Sequence, residues 1–339
     1  MTKPKLKLKF VGIENKTILP IRYIPIYNAL SSNFDVDFMM NNPNGQPDVI
    51  IYSLHSRQYE FLDYDCIRIF FGSEHFFPYE LFADYKLTNR SAIKSDIFFH
   101  CEMPWEEGFE DFLKGKNSKF MIDKEFEKSQ FCNFIYSNKY SKKRNDFIST
   151  MLKRYSNKIH CWGRYKRNIE QLQVDNEEIT HNIYNVEIMK HYKFTICFEN
   201  SSIYHSFSEK TGNALRARSI PIYWGGDDIY KFVKKEAFIH AKDFKNFDEL
   251  MDYIDKVNND DKLYNSYILD NPFVDDDFVR SQFTENIGET LKQIIELPKP
   301  KRKFWQTGIV AKVLFKFLYF FYRIYWKFKS LKRRFIGGI

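Results

Sequence analysis

The chain has 339 residues, enough for two domains that each bury a core without disulfide or metal staples. Its 52 basic and 44 acidic residues leave a net charge of +8, but Lys299–Ile339 holds 12 basic residues and no acid, so residues 1–298 are mildly acidic. A nucleic-acid binder wears its charge on the folded domain, so that class is disfavoured, and five cysteines without a CxxC disfavour a zinc knuckle or a redox motif.

The N-terminal run MTKPKLKLKFVGIEN has no apolar stretch long enough for a signal peptide. With cysteines in no paired spacing, the expectation is a cytoplasmic protein. Strands are expected at Leu6–Gly12, Asp35–Met39, Asp48–Ser53, Cys66–Phe71, Ser95–His100, Phe131–Ser137, Lys158–Trp162, Phe194–Phe198, Ile220–Trp224 and Ala237–His240. Between them, the periodicity predicts helices at Ile21–Ser31, Arg144–Tyr155, Val186–His191, Glu209–Arg218, Asp228–Val233 and Asn246–Asn258. Short apolar strands alternating with helices read as βα units on parallel sheets, an α/β fold class. The polar stretch Trp105–Lys128 interrupts the rhythm and marks a hinge, and Leu297-Pro298-Lys299-Pro300 ends a helix and opens the basic tail. The expected division is therefore an N-terminal α/β domain 1–128, a C-terminal α/β domain 129–298 and a tail 299–339.

The most informative block is KFTICFENSSIYHSFSEKTGNALRARSIPIYWGG, Lys193–Gly226. A buried strand ends in Glu199-Asn200, a polar loop follows, and Ser208-Glu209-Lys210 opens a helix before a second strand ends in Gly225-Gly226. In an α/β sheet, ligands bind beyond the carboxyl ends of the strands. Ser208 is a candidate N-cap, helix N-termini attract phosphate, and Lys210 adds a point charge for a diphosphate. Glu209 can accept hydrogen bonds from sugar hydroxyls. The same spacing also fits an ordinary capped helix carrying a surface Glu–Lys pair, and Lys142-Lys143-Arg144 fits a solvated basic run.

Phe198-Glu199-Asn200-Ser201 with Ser208-Glu209-Lys210 and Ile220-Pro221 resembles the donor-binding motif of the α-1,3-fucosyltransferases, glycosyltransferase family ten. IHCWGRYKRN (Ile159–Asn168), DFKNFDELMDYI (Asp243–Ile254), IRIFFGSEH (Ile67–His75) and DYKLTNRSAIKSDI (Asp84–Ile97) resemble further segments of that family, so the similarity covers about residues 6–297. The resemblance implies a GT-B fold, two Rossmann-like domains facing a cleft, with GDP-fucose held by the C-terminal one. It implies inverting transfer to a GlcNAc- or Glc-type hydroxyl, on an oligosaccharide or glycolipid acceptor of a bacterial surface glycan, with no metal or other cofactor. Glu74 falls on the family's general base, Arg144 on its pyrophosphate arginine, and Asn200, Glu209 and Lys210 on nucleotide-sugar contacts. Ser206 stands where the family carries a tyrosine, with Tyr204 nearby. Both are candidate donor-sugar contacts, and another deoxy-sugar nucleotide remains open as donor.

Asp35/Asp37, Asp63/Asp65 and Asp275/Asp277 are Asp-x-Asp pairs in unrelated contexts, and no HxH or HExxH occurs, so no metal site is expected. In the tail, Phe304–Trp326 is 23 residues long, superficially enough to span a bilayer. Each buried charge costs roughly 2.5–3.5 kcal/mol against about 0.3–0.6 returned per large apolar residue, so Lys312, Lys316 and Arg323 disfavour spanning. On a helix, Lys312, Lys316, Arg323, Lys327 and Arg334 fall within about 60° of one another. That pattern fits a helix lying on an anionic membrane, at the cytoplasmic face. It also fits a helix packed on the protein body. A chain ending at Leu297 is expected to stay active but to stop floating with anionic liposomes, and its inactivity would mean that the tail also supports the fold. A non-enzymatic membrane- or RNA-binding protein is the rival class.

Overall fold

The computed structural model describes residues 2–11, 24–39, 45–53, 59–72, 79–88, 96–100, 127–137, 141–170, 181–199, 208–269, 271–281 and 286–336. By contact it divides into two units, Met1–Pro104 with Ser281–Ile339, and Trp105–Arg280. Each unit is built on one parallel sheet.

The first unit contains strands β1 (Lys5–Val11), β2 (Asp35–Phe38), β3 (Val49–Tyr52), β4 (Ile67–Phe71), β5 (Tyr85–Thr88) and β6 (Phe98–His100). Their order is β2-β1-β3-β4-β5-β6, all parallel. Side chains alternate across a strand, so β3 sends Val49 and Ile51 to one face and Ile50 and Tyr52 to the other. Both faces are covered, as a parallel sheet requires. On the first face Leu6, Leu8, Val49, Ile51 and Ile69 meet helix α1 (Ile24–Asn33) and a second helix from the far end of the chain. On the second face Ile50, Tyr52 and Phe70 meet Phe61, Tyr79 and Phe82 from short 3-10 turns.

The second unit contains β7 (Gln130–Phe134), helix α2 (Lys142–Arg154), β8 (Ile159–Cys161), α3 (His181–Met189), β9 (Tyr192–Phe198), α4 (Glu209–Arg216), β10 (Ile220–Trp224), β11 (Ile239–His240), α5 (Phe247–Asn259), α6 (Asp261–Tyr267) and α7 (Asp276–Arg280). The sheet order is β11-β10-β9-β7-β8, all parallel. Counted within the unit, this is a 2-1-3-4-5 doubly wound sheet whose strand order reverses between β7 and β9. Asn133 and Thr195 lock those two strands through a buried side-chain hydrogen bond of 2.9 Å. Phe134, Phe194, Ile196 and Phe198 form the core with Phe147, Ile148 and Met151 of α2.

All ten expected strands are present to within a few residues, and β5 is an eleventh. Its pattern of one polar residue among three buried ones is too short to register as alternation. The helix expected at Asp228–Val233 is a 3-10 turn, Asp227–Lys231.

The division of the chain differs from the one expected at Pro298. Helix α8 (Asn286–Glu296) places Ile287, Leu291 and Ile294 on one stripe, and that stripe packs against α1 and the first sheet. The tail follows it into the first unit. Arg302 bonds Asp84 in a buried ion pair at 2.5 Å and also reaches Asp65, while Arg68 donates to the Gln306 carbonyl. Helix α9 (Gly308–Ile336) then buries Ala311 and Phe315 completely among Phe61, Tyr79 and Phe82. Lys312 pairs with Asp63, and Lys316 lies 4.5 Å over the Tyr59 ring. The tail is thus part of the first unit's core, with its cations partly used by the body. Lys327 and Arg334 lie on the same helix, but their side chains fall outside the described residues. A chain ending at Leu297 would lose this packing.

Candidate functional site

Helix α2 decides the fate of its three leading cations. Arg144, Phe147, Ile148 and Met151 recur at helical spacing and all face the core. Lys142 and Lys143 point elsewhere: Lys142 pairs with Asp146 at 2.8 Å in solvent, and Lys143 lies 4.8 Å over the Phe247 ring. Phe147 stacks on Phe198 with ring centres 4.5 Å apart, which seats the start of α2 over the carboxyl end of β9. Arg144 is therefore fully buried and is no part of a solvated run.

Its guanidinium lies 4.3 Å over the ring of Tyr136, just beyond β7. The Tyr136 hydroxyl donates to the Ile196 carbonyl and accepts from the Phe198 N–H, so it ties the end of β7 to β9 at the switch point. Gly163 makes this possible. A Cβ there would lie 2.0 Å from the Tyr136 carbonyl oxygen, so the Trp162-Gly163-Arg164 segment tolerates no side chain at its middle position. Burial pulls the Arg144 pKa below the usual arginine value, with Tyr136 and Glu199 opposing it.

On the other side of the switch point, Ser208 caps α4. Its backbone is extended, and its hydroxyl accepts from the Lys210 N–H at 3.4 Å. Glu199, at the end of β9, accepts from the Ser208 N–H at 2.9 Å and from its hydroxyl at 2.6 Å. Lys210 Nζ lies 3.3 Å from the Glu199 carboxylate and 3.5 Å from that of Glu209. Burial works against the ammonium's charge, but Glu199 and then Glu209 outweigh it and hold Lys210 above the usual lysine range. Arg144 interacts electrostatically with both Glu199 and Lys210, so the three charges share one neighbourhood. Two desolvated cations at the switch point of a doubly wound sheet have the chemistry to attract a dianionic group such as a diphosphate.

Of the residues expected to act, Arg144 and Lys210 both interact electrostatically with Glu199, and Glu209 stands at the solvent edge beside Lys210 with half its side chain exposed. Glu74, Asn200, Tyr204 and Ser206 lie outside the described residues. Tyr136 and Glu199 were missed as participants, although Glu199 is visible as the acid that follows a largely apolar strand. Gly225 reads as a turn residue and proves to be a matter of space, since a Cβ would lie 2.2 Å from the Tyr223 hydroxyl and 3.0 Å from Glu199 Cγ. The Asp-x-Asp carboxylates have other duties: Asp63 pairs with Lys312, Asp65 with Lys299 and Arg302, and Asp275 caps α7. No group of three metal-ligating side chains occurs among the described residues, and four of the cysteines are buried free thiols.

Residues 125–270, the segment holding all of this geometry, match the C-terminal domain of glycosyltransferase family 10 (fucosyltransferase). The second unit belongs to glycosyltransferase family 10. An α-(1,3)-fucosyltransferase of Helicobacter pylori is 33% identical over 194 residues, which are 56% of this chain and 36% of that protein. An α-(1,3)-fucosyltransferase of Drosophila melanogaster is 30% identical over 128 residues, 37% of this chain and 28% of that protein. The chain spans about a third of the length of these curated relatives. A crystal structure of an α1,3-fucosyltransferase with GDP-fucose superposes with a TM-score of 0.65 at 20% identity, covering 89% of this chain and 94% of the other. That likeness shows the fold of the whole chain, two parallel-sheet α/β units of the GT-B type.

Proposed function

We propose that this family 10 chain is a fucosyltransferase that moves fucose, with inversion, from GDP-fucose to a hydroxyl of a GlcNAc- or Glc-type acceptor on an oligosaccharide or glycolipid. The observation that carries it is that Arg144, seated over Tyr136, and Lys210, held by Glu199, both stand at the carboxyl end of β9, at the switch point of a family 10 domain. As the glycosidic bond breaks, the GDP leaving group gains negative charge, and preorganised cations in a desolvated site stabilise that charge most in the transition state. Arg144 offers a planar fork for two phosphate oxygens and Lys210 a point charge. Glu209 and Asn200 would accept and donate hydrogen bonds to the sugar hydroxyls of the donor. Glu74 is the proposed general base, taking the acceptor hydroxyl's proton as its oxygen attacks the anomeric carbon opposite the departing phosphate. The sugar is then oxocarbenium-like, as in glycoside hydrolysis.

The test is a donor panel of GDP-fucose, GDP-mannose and a second deoxy-sugar nucleotide against GlcNAc- and Glc-terminated acceptors. Fucose transfer to at least one acceptor is expected, with Arg144→Ala and Lys210→Met each lowering kcat/KM by about tenfold to a hundredfold. Glu74→Ala should remove most turnover and leave GDP binding intact. Turnover of another donor alone would reject fucose, with Ser206 and Tyr204 the first residues to examine.

A second observation supports an anionic membrane surface as partner. On the face of α9 turned away from the core, Ile309, Val313, Phe317, Phe320 and Phe321 are all exposed, the least of them at 49%, and Lys316 and Arg323 are exposed along their edge. No described helix is long and apolar enough to cross a membrane. An apolar stripe flanked by cations suits the interface of an anionic bilayer, and the proposed setting is the cytoplasmic face of a bacterial inner membrane. Flotation with anionic liposomes should be lost in a Phe317→Glu, Phe320→Glu double variant whose melting temperature is unchanged; undiminished flotation rejects this surface.

A further inference from the structure

Glu199 brings a carboxylate beside a site proposed for a diphosphate, where its charge would repel the ligand. The carboxylate is also largely removed from water, with its side chain 10% exposed, and an unpartnered buried carboxylate is very costly. Its partners account for its presence. One oxygen takes two hydrogen bonds, from the N–H and the hydroxyl of Ser208, while the other faces the Lys210 ammonium. The Ser208 hydroxyl in turn accepts from Lys210 Nζ at 2.9 Å, which closes a ring of contacts through residues 199, 208 and 210. The ring is held from the sheet side as well. The Glu199 N–H donates to the Trp224 carbonyl at 2.8 Å, extending the β9–β10 ladder by one residue, and Gly225 leaves the space that Glu199 Cγ occupies.

We propose that Glu199 is a positioning residue for the donor: it clamps Lys210 and the α4 cap in the geometry that meets the diphosphate. The proposal rests on the donor-site reading above. Lysine is a point charge on a flexible four-carbon stem, so its aim is set by what holds the ammonium. Without the Glu199 carboxylate, Nζ would keep the Ser208 hydroxyl and the half-exposed Glu209, and would drift toward the solvent edge. Glu199 thus offsets its own repulsion of the diphosphate by fixing the cation that attracts it.

Glu199→Gln separates this role from mere support of the cap. Its amide oxygen still accepts from Ser208, while an N–H₂ group replaces the oxygen that faces Lys210. With the full chain, GDP binding by calorimetry should weaken about tenfold, and the KM for GDP-fucose should rise similarly while kcat changes less than about threefold. In a Lys210→Met background the same substitution should add less than about twofold, because the partner it acts through is gone. GDP binding as tight as wild type in Glu199→Gln, with Lys210→Met weakened, overturns the proposal alone. An undiminished loss in the Lys210→Met background also overturns it and leaves Glu199 as a structural cap support. Wild-type GDP affinity in Lys210→Met overturns the donor-site reading and the proposal together. Should Glu199→Gln fail to fold, Ser208→Ala probes the same ring with the carboxylate intact. A loss of about threefold in GDP affinity is expected there, and no loss overturns the proposal.

Discussion

Phe315→Ala tests whether the basic tail is a structural part of the first unit. The ring is fully buried and makes edge-on contacts with Phe61, Tyr79 and Phe82 at centroid distances of 5.4, 5.0 and 5.7 Å, and it stacks on Tyr319 at 5.8 Å. Truncating a buried phenylalanine costs about 3–5 kcal/mol, and the lost aromatic pairs push the value toward the upper end. For a unit of this size each kcal/mol moves the melting temperature by about 2–4 °C, so a drop of about 6–20 °C is expected. Phe317→Ala, two residues along the same helix, is the control. Phe317 is 58% exposed on the opposite face, so its truncation should stay within about 0.5 kcal/mol of wild type. Urea unfolding followed by amide exchange in β3 and β4 reports on the first unit directly. Equal stability losses from the two variants would refute the docking of α9. A chain ending at Leu297 removes Phe315, Ala311 and the Arg302–Asp84 pair together, and it should fail to fold its first unit.

His240 gives the second unit a pH dependence. Its pKa is lowered from 6.5, chiefly by burial and partly by Lys242 and Lys235, against the raising influence of Asp243 and Asp227; its Nδ1 meets the Tyr230 hydroxyl and its Nε2 has no hydrogen-bond partner. The folded state binds the proton less readily than the unfolded one, so this contribution is complete above pH 6.5 and is lost as pH falls through the folded pKa. His240→Asn should flatten part of the fall in melting temperature between pH 7.5 and 5.5; an identical slope refutes it. Tyr136→Phe removes the hydroxyl that joins β7 to β9 but keeps the ring under Arg144, so about 1–3 kcal/mol of stability should be lost with GDP affinity retained, as read by thermal unfolding and calorimetry. Tyr136→Leu should weaken GDP binding in addition. Gly163→Ala forces a carbon against the Tyr136 backbone and should destabilise the second unit by more than about 2 kcal/mol, whereas a neutral result in urea titration would contradict the close approach.

The capped helix start at Ser208 was legible because it is local. Ser208, Glu209 and Lys210 are adjacent, and a cap with its first turn depends on a handful of neighbouring residues. The strands were legible because runs such as FTICF and IPIYW are buried on both faces of a parallel sheet and are almost wholly apolar. Even the burial of Arg144 was written in its spacing from Phe147, Ile148 and Met151, although a neighbouring pair of lysines disguised it. Glu199's grip on Lys210 was not legible, because it joins a strand end to a helix start across a loop.

The sequence by itself determined the α/β class, the order of the strands along the chain, the capped helix start after β9 and the separation of a mildly acidic body from a strongly basic tail, all of which follow from composition, period and adjacency. Only the tertiary structure decided which surface the tail helix spends inward. A helix apolar around most of its circumference carries no sequence signal for the stripe that will meet Phe61, Tyr79 and Phe82, since those partners lie more than 200 residues earlier and are brought to it by the fold of the first sheet.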